Sequence, residues 1–242
     1  MRTPRVYVDA VLASGTEIAL PPEAAAHLTR VLRLRPDDAV VLFNGDGRDY
    51  AGRLIGAHRQ GARVRVDACG DPEPDAPLRL HLAIGVSRGE RMDFVVQKAV
   101  ELGVASIRPL LTERSVVRLD AARRERRHGH WHGVLVAACE QSGRRRLPRL
   151  HPTLPLADWL PTVGGTALLL DPQAEHSLAV LPAPRGEATL LVGPEGGLSA
   201  DERGRAVRAG FVPVRLGPRI LRTETAPVAA LAAMQALWGD LR

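Results

Sequence analysis

The sequence predicts an α/β protein: a parallel sheet alternating with helices, preceded by a small β-rich barrel. Three observations lead there. From Leu78 onward, short aliphatic runs alternate with stretches of helical periodicity, the pattern of a parallel sheet covered by helices. Before residue 70, several short strands are separated by turn residues at the spacing of a small barrel. Between these regions, Gly70-Asp-Pro-Glu-Pro-Asp-Ala-Pro77 carries three prolines and three acids without apolar periodicity. Residues 71–77 therefore read as a linker between a front domain, 1–70, and a second domain, 78–242.

In the front domain, Arg5 to Asp9 and Glu17 to Leu20 read as strands. Pro21-Pro22-Glu23 starts a short helix expected to reach Leu32, with Ala26, Leu28, Val31 and Leu32 on its apolar side. Asp38 to Phe43 is apolar and β-rich, and Asn44-Gly45-Asp46-Gly47 is a strong hairpin signal. Tyr50 to Ile55 and Ala62 to Val66 alternate as strands do, separated by Arg59-Gln60-Gly61.

In the second domain, strands are expected at Leu78 to Val86, Ser106 to Leu111, near Leu147 to Leu150, and at Thr166 to Leu170, which Asp171-Pro172 stops. Helices are expected over Arg91 to Leu102, closed by Gly103, and over about Asp120 to Cys139. Two glycine loops then follow two strands. Thr189 to Val192 ends at Gly193-Pro194, and a helix from about Ser199 to Ala209 comes next. A short apolar run ends at Gly217-Pro218, and Thr225-Ala226-Pro227 opens the last helix, which reaches about Gly239. Proline is tolerated in that first turn, because its missing N–H has no intrahelical partner anyway. Glycines at strand ends admit a ligand close to the backbone, and the C-terminal edge of a parallel sheet is where such ligands bind.

Composition narrows the function. The chain has 242 residues and a formal net charge of +6, which favours a polyanionic partner. Lys98 is the only lysine, so the sign of the charge is informative while the choice of arginine reflects a GC-rich codon bias. Met1-Arg-Thr-Pro-Arg-Val-Tyr-Val has no apolar core of a secretory signal, and no run of eighteen apolar residues exists. Cys69 and Cys139 match no metal spacing. A reduced, cytoplasmic protein is expected. Gly85-Val-Ser-Arg-Gly89 lacks the dinucleotide spacing, and Gly196-Gly197-Leu198 lacks the lysine of a triphosphate loop, so neither nucleotide class fits. Residues 113–149 hold ten arginines against four acids, a surplus equal to the net charge of the whole chain. Within them, Cys139-Glu-Gln-Ser-Gly-Arg-Arg-Arg146 joins a helix end to three arginines, which suits phosphate binding. His128, His130 and His132 have no acidic or cysteine partner nearby and read as a solvated or RNA-facing group, not a metal site. Cys139 reads as buried and inert.

Taken together, Gly193-Pro-Glu-Gly-Gly197 and Leu216-Gly-Pro-Arg-Ile-Leu-Arg-Thr-Glu-Thr-Ala226 resemble the knotted SPOUT methyltransferases. Within these, they resemble the RsmE family, the 16S rRNA uridine N3-methyltransferases. Ala-Cys139-Glu-Gln-Ser-Gly-Arg144, the segment from Arg88 through Gly103, and Thr112-Glu113-Arg114-Ser115 match further family wording, and His27 to Arg33 matches its front domain. The resemblance implies a PUA-like barrel over 1–70 and a SPOUT α/β domain over 78–242 with a C-terminal trefoil knot. It implies S-adenosylmethionine as cofactor, on Leu170, Gly193, Pro194, Glu195, Gly196, Gly197, Leu216, Ile220, Leu221, Arg222 and Thr225. Thr225 has a second role open to it, capping the last helix. RNA contacts are implied for Arg30, Arg33, Arg88, Arg91, Lys98, Arg114, Gln141, Arg144 and Arg145. Arg30 and Arg33 read equally well as a solvated face, and Lys98 as a helix salt bridge.

Arg222 is the implied donor to the charge developing on the uracil ring. Glu140 is either a proton acceptor or the group that orients an arginine. The family's target is uridine 1498 of 16S rRNA in the 30S subunit, and its enzymes work as homodimers without metal. Two other readings are a SPOUT ribose 2′-O-methyltransferase and a non-catalytic RNA-binding assembly factor. The PUA-like front and the Glu-Gln-Ser-Gly-Arg segment argue against the first.

Overall fold

The structure, a computed structural model, describes residues 3–58, 61–115 and 120–241. The turn expected at Arg59-Gln60, and Arg118 of the basic segment, lie outside the described residues. The chain forms two compact units: Met1–Pro74 with Val136–Leu147, and Asp75–Leu135 with Pro148–Arg242.

The first unit holds β1 (Arg5–Tyr7), β2 (Glu17–Ala19), α1 (Pro22–Ala26), β3 (Ala39–Phe43), β4 (Tyr50–His58) and β5 (Gly61–Cys69). The strands lie in the order β1-β3-β4-β5-β2, with β1 and β3 parallel and the other pairs antiparallel. Register shifts at Ala51/Gly52 and Leu54/Gly56 curl this sheet. Its edge strands β1 and β2 do not pair with each other among the described residues, so the expected barrel is an open, curled half-barrel. Val6, Leu28, Leu42, Leu54 and Val64 fill its core.

The helix expected to continue to Leu32 changes to a π-turn over His27–Val31. Thr29 Oγ1 donates to the carbonyl of Ala25 at 2.7 Å, a back-bond that bends helices, and Arg33 at φ 56° ends the turn.

The sequence assigns Val136–Leu147 to the second domain, but the segment clusters with the first unit. Tyr7 donates its backbone N–H to Glu140 Oε1 at 3.0 Å, and Arg5 Nη2 donates to the carbonyl of Arg144 at 3.0 Å. The proline-rich stretch is also anchored: Glu73 Oε2 accepts the backbone N–H groups of Arg145 and Arg146 at 2.9 and 3.1 Å. None of these long-range bonds leaves a trace in local periodicity.

The second unit contains β6 (Arg79–Gly85), α2 (Glu90–Glu101), β7 (Ser106–Leu111) and most of α3 (Ala121–Ser142). It continues with β8 (Arg149–Leu150), β9 (Leu154–Pro155), α4 (Leu156–Trp159), β10 (Thr166–Leu170) and β11 (Glu187–Val192). α5 (Ala200–Arg208), β12 (Val212–Val214) and α6 (Thr225–Trp238) complete it. The sheet runs β12-β10-β11-β6-β7, with β8 and β9 both pairing β7, and every pair is parallel.

Helices cover both faces, as a parallel sheet requires. On one face, Leu156, Trp159 and Leu160 from the α4 region and Ala206 of α5 pack with Ala83, Leu110, Leu169 and Leu191. Alternation sends Leu80, Leu82 and Ile84 to the opposite face, where all three are buried. α2 and α6 pack on each other, burying Met92, Val96, Leu231 and Met234.

Candidate cofactor site

Three neighbouring strands, β12, β10 and β11, end together, and their C-terminal loops form the site. After β11 the chain doubles back. A Cβ on Gly193 would lie 3.0 Å from the backbone N of Leu198, so the fold admits no side chain there without movement. The N–H of Gly197 closes the turn on the carbonyl of Pro194 at 2.8 Å. Ser199 then starts α5 with a capping box: its side chain accepts the Glu202 N–H, and the Glu202 carboxylate accepts the Ser199 N–H.

After β12 the loop runs from Leu216 into α6, whose first turn hangs on the Arg222 carbonyl through the N–H groups of Thr225 and Ala226. Thr223 Oγ1 donates to the carbonyl of Gly193 at 3.3 Å, joining the two glycine loops. After β10, Asp171 donates its N–H to Val214 and approaches Arg203 at 3.9 Å.

These loops enclose a cavity of about 210 Å³. Leu170, Gly193, Pro194, Glu195, Gly197, Leu216, Ile220 and Leu221 line it, together with Thr223, Asp171, Arg203 and Arg219. The walls are mainly aliphatic and backbone, and Ile220 stands 85% exposed at the loop surface.

Three residues expected on the cofactor do not line this cavity: Gly196, Arg222 and Thr225. A Cβ on Gly196 would meet Arg114 Cβ at 3.0 Å, and Arg114 Nη1 donates to the Gly196 carbonyl at 3.1 Å. The lack of a side chain at Gly196 thus makes room for Arg114. Nor is Thr225 a cap. Glu224 occupies the cap position, and its side chain makes no capping bond. Thr223, two residues earlier, is the threonine that faces the site. The two threonines flank one residue, and only the three-dimensional path of the loop separates them. Arg222 is exposed, and its side chain has no ion pair among the described residues.

Glu195 carries the charge at the cavity rim. Oε1 accepts the Arg88 backbone N–H at 2.9 Å and Arg91 Nη1 at 3.1 Å, while Arg91 Nε lies 3.7 Å from Glu224. Burial alone would raise this carboxyl. The Arg88 N–H and the Arg91 guanidinium outweigh it and hold the group below its usual range, as a carboxylate. Its second oxygen, Oε2, is buried without a partner among the described residues.

The expected RNA contacts divide between the units. Arg88, Arg91, Lys98 and Arg114 belong to the second, and Arg30, Arg33, Gln141, Arg144 and Arg145 to the first. Several already have work within the fold. Arg91 bridges Glu195 and Glu224, Arg145 binds Asp49 and the Asp71 carbonyl, and Lys98 pairs with Glu101 at 2.8 Å. Arg30 and Arg33 are exposed.

Glu140 belongs to the first unit and does not line the cavity. Burial pushes its carboxyl up, against the pull of the Tyr7 N–H, His27 and Arg5. His130 meets Asp93 at 2.8 Å and His128 the Leu150 carbonyl at 3.3 Å; among the described residues no three His, Cys, Asp or Glu gather as a metal site would require. Burial pushes the Cys139 thiol up to about 11, so it is not a thiolate nucleophile at neutral pH.

A parallel sheet with a backbone-lined cavity at its C-terminal edge, in a chain with a curled five-stranded sheet, agrees with the families the chain matches. Residues 74–235 match the RNA methyltransferase domain, and residues 20–67 the RNA methyltransferase PUA domain. The fold and site thus define an RNA methyltransferase.

The chain is 31% identical to the ribosomal RNA small subunit methyltransferase E of Buchnera aphidicola, over 99% of this chain and 98% of that one. It is 38% identical to the ribosomal RNA small subunit methyltransferase E of Neisseria gonorrhoeae, solved bound to S-adenosyl methionine, with a TM-score of 0.92 and full coverage of both chains. A Legionella pneumophila protein solved in complex with the same cofactor is 36% identical, with a TM-score of 0.96 and full coverage of both. The chain belongs to the ribosomal RNA small subunit methyltransferase E family.

Proposed function

We propose that this chain is an S-adenosylmethionine-dependent methyltransferase that modifies N3 of a uridine in 16S rRNA, with the 30S subunit as substrate. The observation that carries this reading is the cavity at the ends of β10, β11 and β12, where aliphatic walls and bare backbone meet the ionised carboxylate of Glu195. Leu170, Leu216, Ile220 and Leu221 suit the two faces of an adenosine, and the unpaired Glu195 Oε2 suits an ammonium group. S-adenosylmethionine supplies a methyl group on a sulfonium, the electrophile that a uracil nitrogen attacks.

The protein's part is positioning and charge. Arg222 is assigned to the anion left on the ring when the imide proton departs to solvent, because its guanidinium is exposed, without an ion pair among the described residues, beside the cavity-lining residues Leu221 and Thr223. Glu140 is assigned to anchoring β1 through the Tyr7 N–H. Gly196 and Thr225 are assigned to shaping their loops. The exposed arginines supply phosphate contacts, and Arg91 acts first as the bridge between the two glycine loops.

A C-terminal trefoil knot and a C₂ homodimer belong to the same proposal. The knot is supported by the long Leu216–Glu224 loop running from β12 to α6 beside the cavity, and the dimer by Ile220, an aliphatic side chain left exposed on that loop. Sedimentation equilibrium tests the dimer, and a monomer at micromolar concentration would refute it.

The decisive experiment incubates undermethylated 30S subunits, and separately naked 16S rRNA, with enzyme and isotope-labelled cofactor. Mass spectrometry of the digested nucleosides should show labelled 3-methyluridine. A 2′-O-methyl product would reassign the reaction, and no cofactor binding by folded protein would remove the enzyme.

A further inference from the structure

We infer that the opposite, N-terminal edge of the parallel sheet holds a second binding site, which takes a small phosphate or phosphomonoester on Arg108, Ser106 and His151. All strands of this sheet run the same way, so their first residues share one edge. A cavity of about 240 Å³ lies there, lined by His81 of β6, Ser106 and Arg108 of β7, Glu187 of β11, and by His151 and Trp159. None of these residues lines the cofactor cavity.

The hydrogen bonds define what the site offers. Arg108 Nη1 donates to the Pro152 carbonyl at 3.2 Å, and Nη2 meets His151 Nδ1 at 2.9 Å. A guanidinium only donates, so Nδ1 accepts and His151 carries its proton on Nε2. Arg108 Nε is buried and has no partner among the described residues, which is costly for a cation unless a ligand supplies the acceptor. Ser106 is buried, with Oγ 2.8 Å from His81 Nδ1.

The charges agree. Burial, then Arg149, lowers Arg108, and burial lowers His81, with Glu187 opposing and Arg79 adding to the effect. Facing them is the carboxylate of Glu187, 3.7 Å from His81 Nε2, with a side chain 55% exposed and free to turn outward. Burial, then Arg108, Arg149 and His81, push His151 down to about 4, so the imidazole is neutral without a ligand. An oxyanion beside Arg108 offsets the repulsion from the two arginines and raises the His151 pKa, while burial still opposes the charged ring. The cavity has room for a phosphate with a small organic group. An RNA backbone needs an open groove, whereas here Ser106 and Arg108 Nε are buried.

The test is a titration of the full-length protein with inorganic phosphate near pH 6.5, followed by the imidazole resonances. A saturable shift at His151 with a raised pKa is expected. Arg108→Gln should weaken binding about tenfold or more, through loss of a charge-assisted hydrogen bond. Ser106→Ala is the milder variant and should weaken it less, with an unchanged melting curve. Both variants should bind S-adenosylmethionine as the parent does, since that site is on the other edge. A shift that does not saturate, or that is equal in the parent and Arg108→Gln, would overturn the proposal. So would competitive displacement of phosphate by a 16S rRNA fragment, which would make this edge an RNA surface.

Discussion

Three positions separate chemistry from architecture at the scale of single residues. Arg222 is exposed and has no ion pair to lose among the described residues, so Arg222→Ala should leave the fold and cofactor affinity nearly unchanged. Turnover should fall by roughly 10²–10³, the usual loss for one donor to a developing anion. Stopped-flow assays that separate kcat from cofactor Kd check this, and unchanged turnover would take Arg222 out of the chemistry. Gly193→Val should abolish cofactor binding in calorimetry, because its side chain would strike the Leu198 amide. Gly196→Val should act on Arg114 and leave cofactor affinity close to normal, in contrast to what two adjacent loop glycines lead one to expect.

His151 gives a pH dependence. Its folded pKa, about 4, lies below the ordinary 6.5, so the unfolded chain binds more protons between those values. Its contribution is complete above about pH 6.5 and is lost as pH falls through about 4. Urea midpoints measured across that window should drop with acid, and His151→Asn should flatten the slope. An identical slope in the variant would show that His151 is not linked to folding.

Within elements, the capping box of α5 does two things. Ser199 and Glu202 satisfy the helix start, and Glu202 Oε1 also accepts the Glu113 N–H at 2.8 Å, fastening the loop after β7. Ser199→Ala should cost about 1 kcal/mol, the usual worth of a lost cap, read as a lower urea midpoint at constant slope. A loss near zero would mean that solvent replaces the cap. The long elements were legible from periodicity: β7 and β10 lie where alternation and turn residues put them, and α6 ends within a residue of its predicted limit. The short ones were not. β8 falls inside the strand expected near Leu147 to Leu150, but α4, the turn of 3₁₀-helix at Leu160–Thr162 and β9 each span only about one period, too little for a repeat to reveal them. They persist because Trp159 and Leu160 are buried against Phe211 and Leu169.

For the whole molecule, the net charge of +6 and the exposed arginines predict RNA binding that weakens with salt. Log affinity for 16S rRNA should fall linearly with log salt, with a slope of about −0.7 to −0.9 per phosphate neutralised. Binding indifferent to salt would remove the arginines from recognition. Among the described residues no helix is long and apolar enough to cross a membrane. The chain's division into units was the least legible feature at this scale. Val136–Leu147 clusters with the first unit through Arg5, Tyr7 and Glu73, residues far from it in sequence.

The amino-acid order alone determined the α/β alternation, the glycine loops after β11 and β12, and the family, because these depend on spacing along the chain. Which groups face the cavity at the ends of β10, β11 and β12 was decided only in three dimensions. Thr223 and not Thr225 meets Gly193, Gly196 makes room for Arg114, and Glu140 anchors β1 instead of lining the cavity. The reason is physical. Periodicity reports which side of an element is apolar, whereas a site is made where loops from distant strands converge, and the direction of each side chain there is set by contacts that local sequence does not encode.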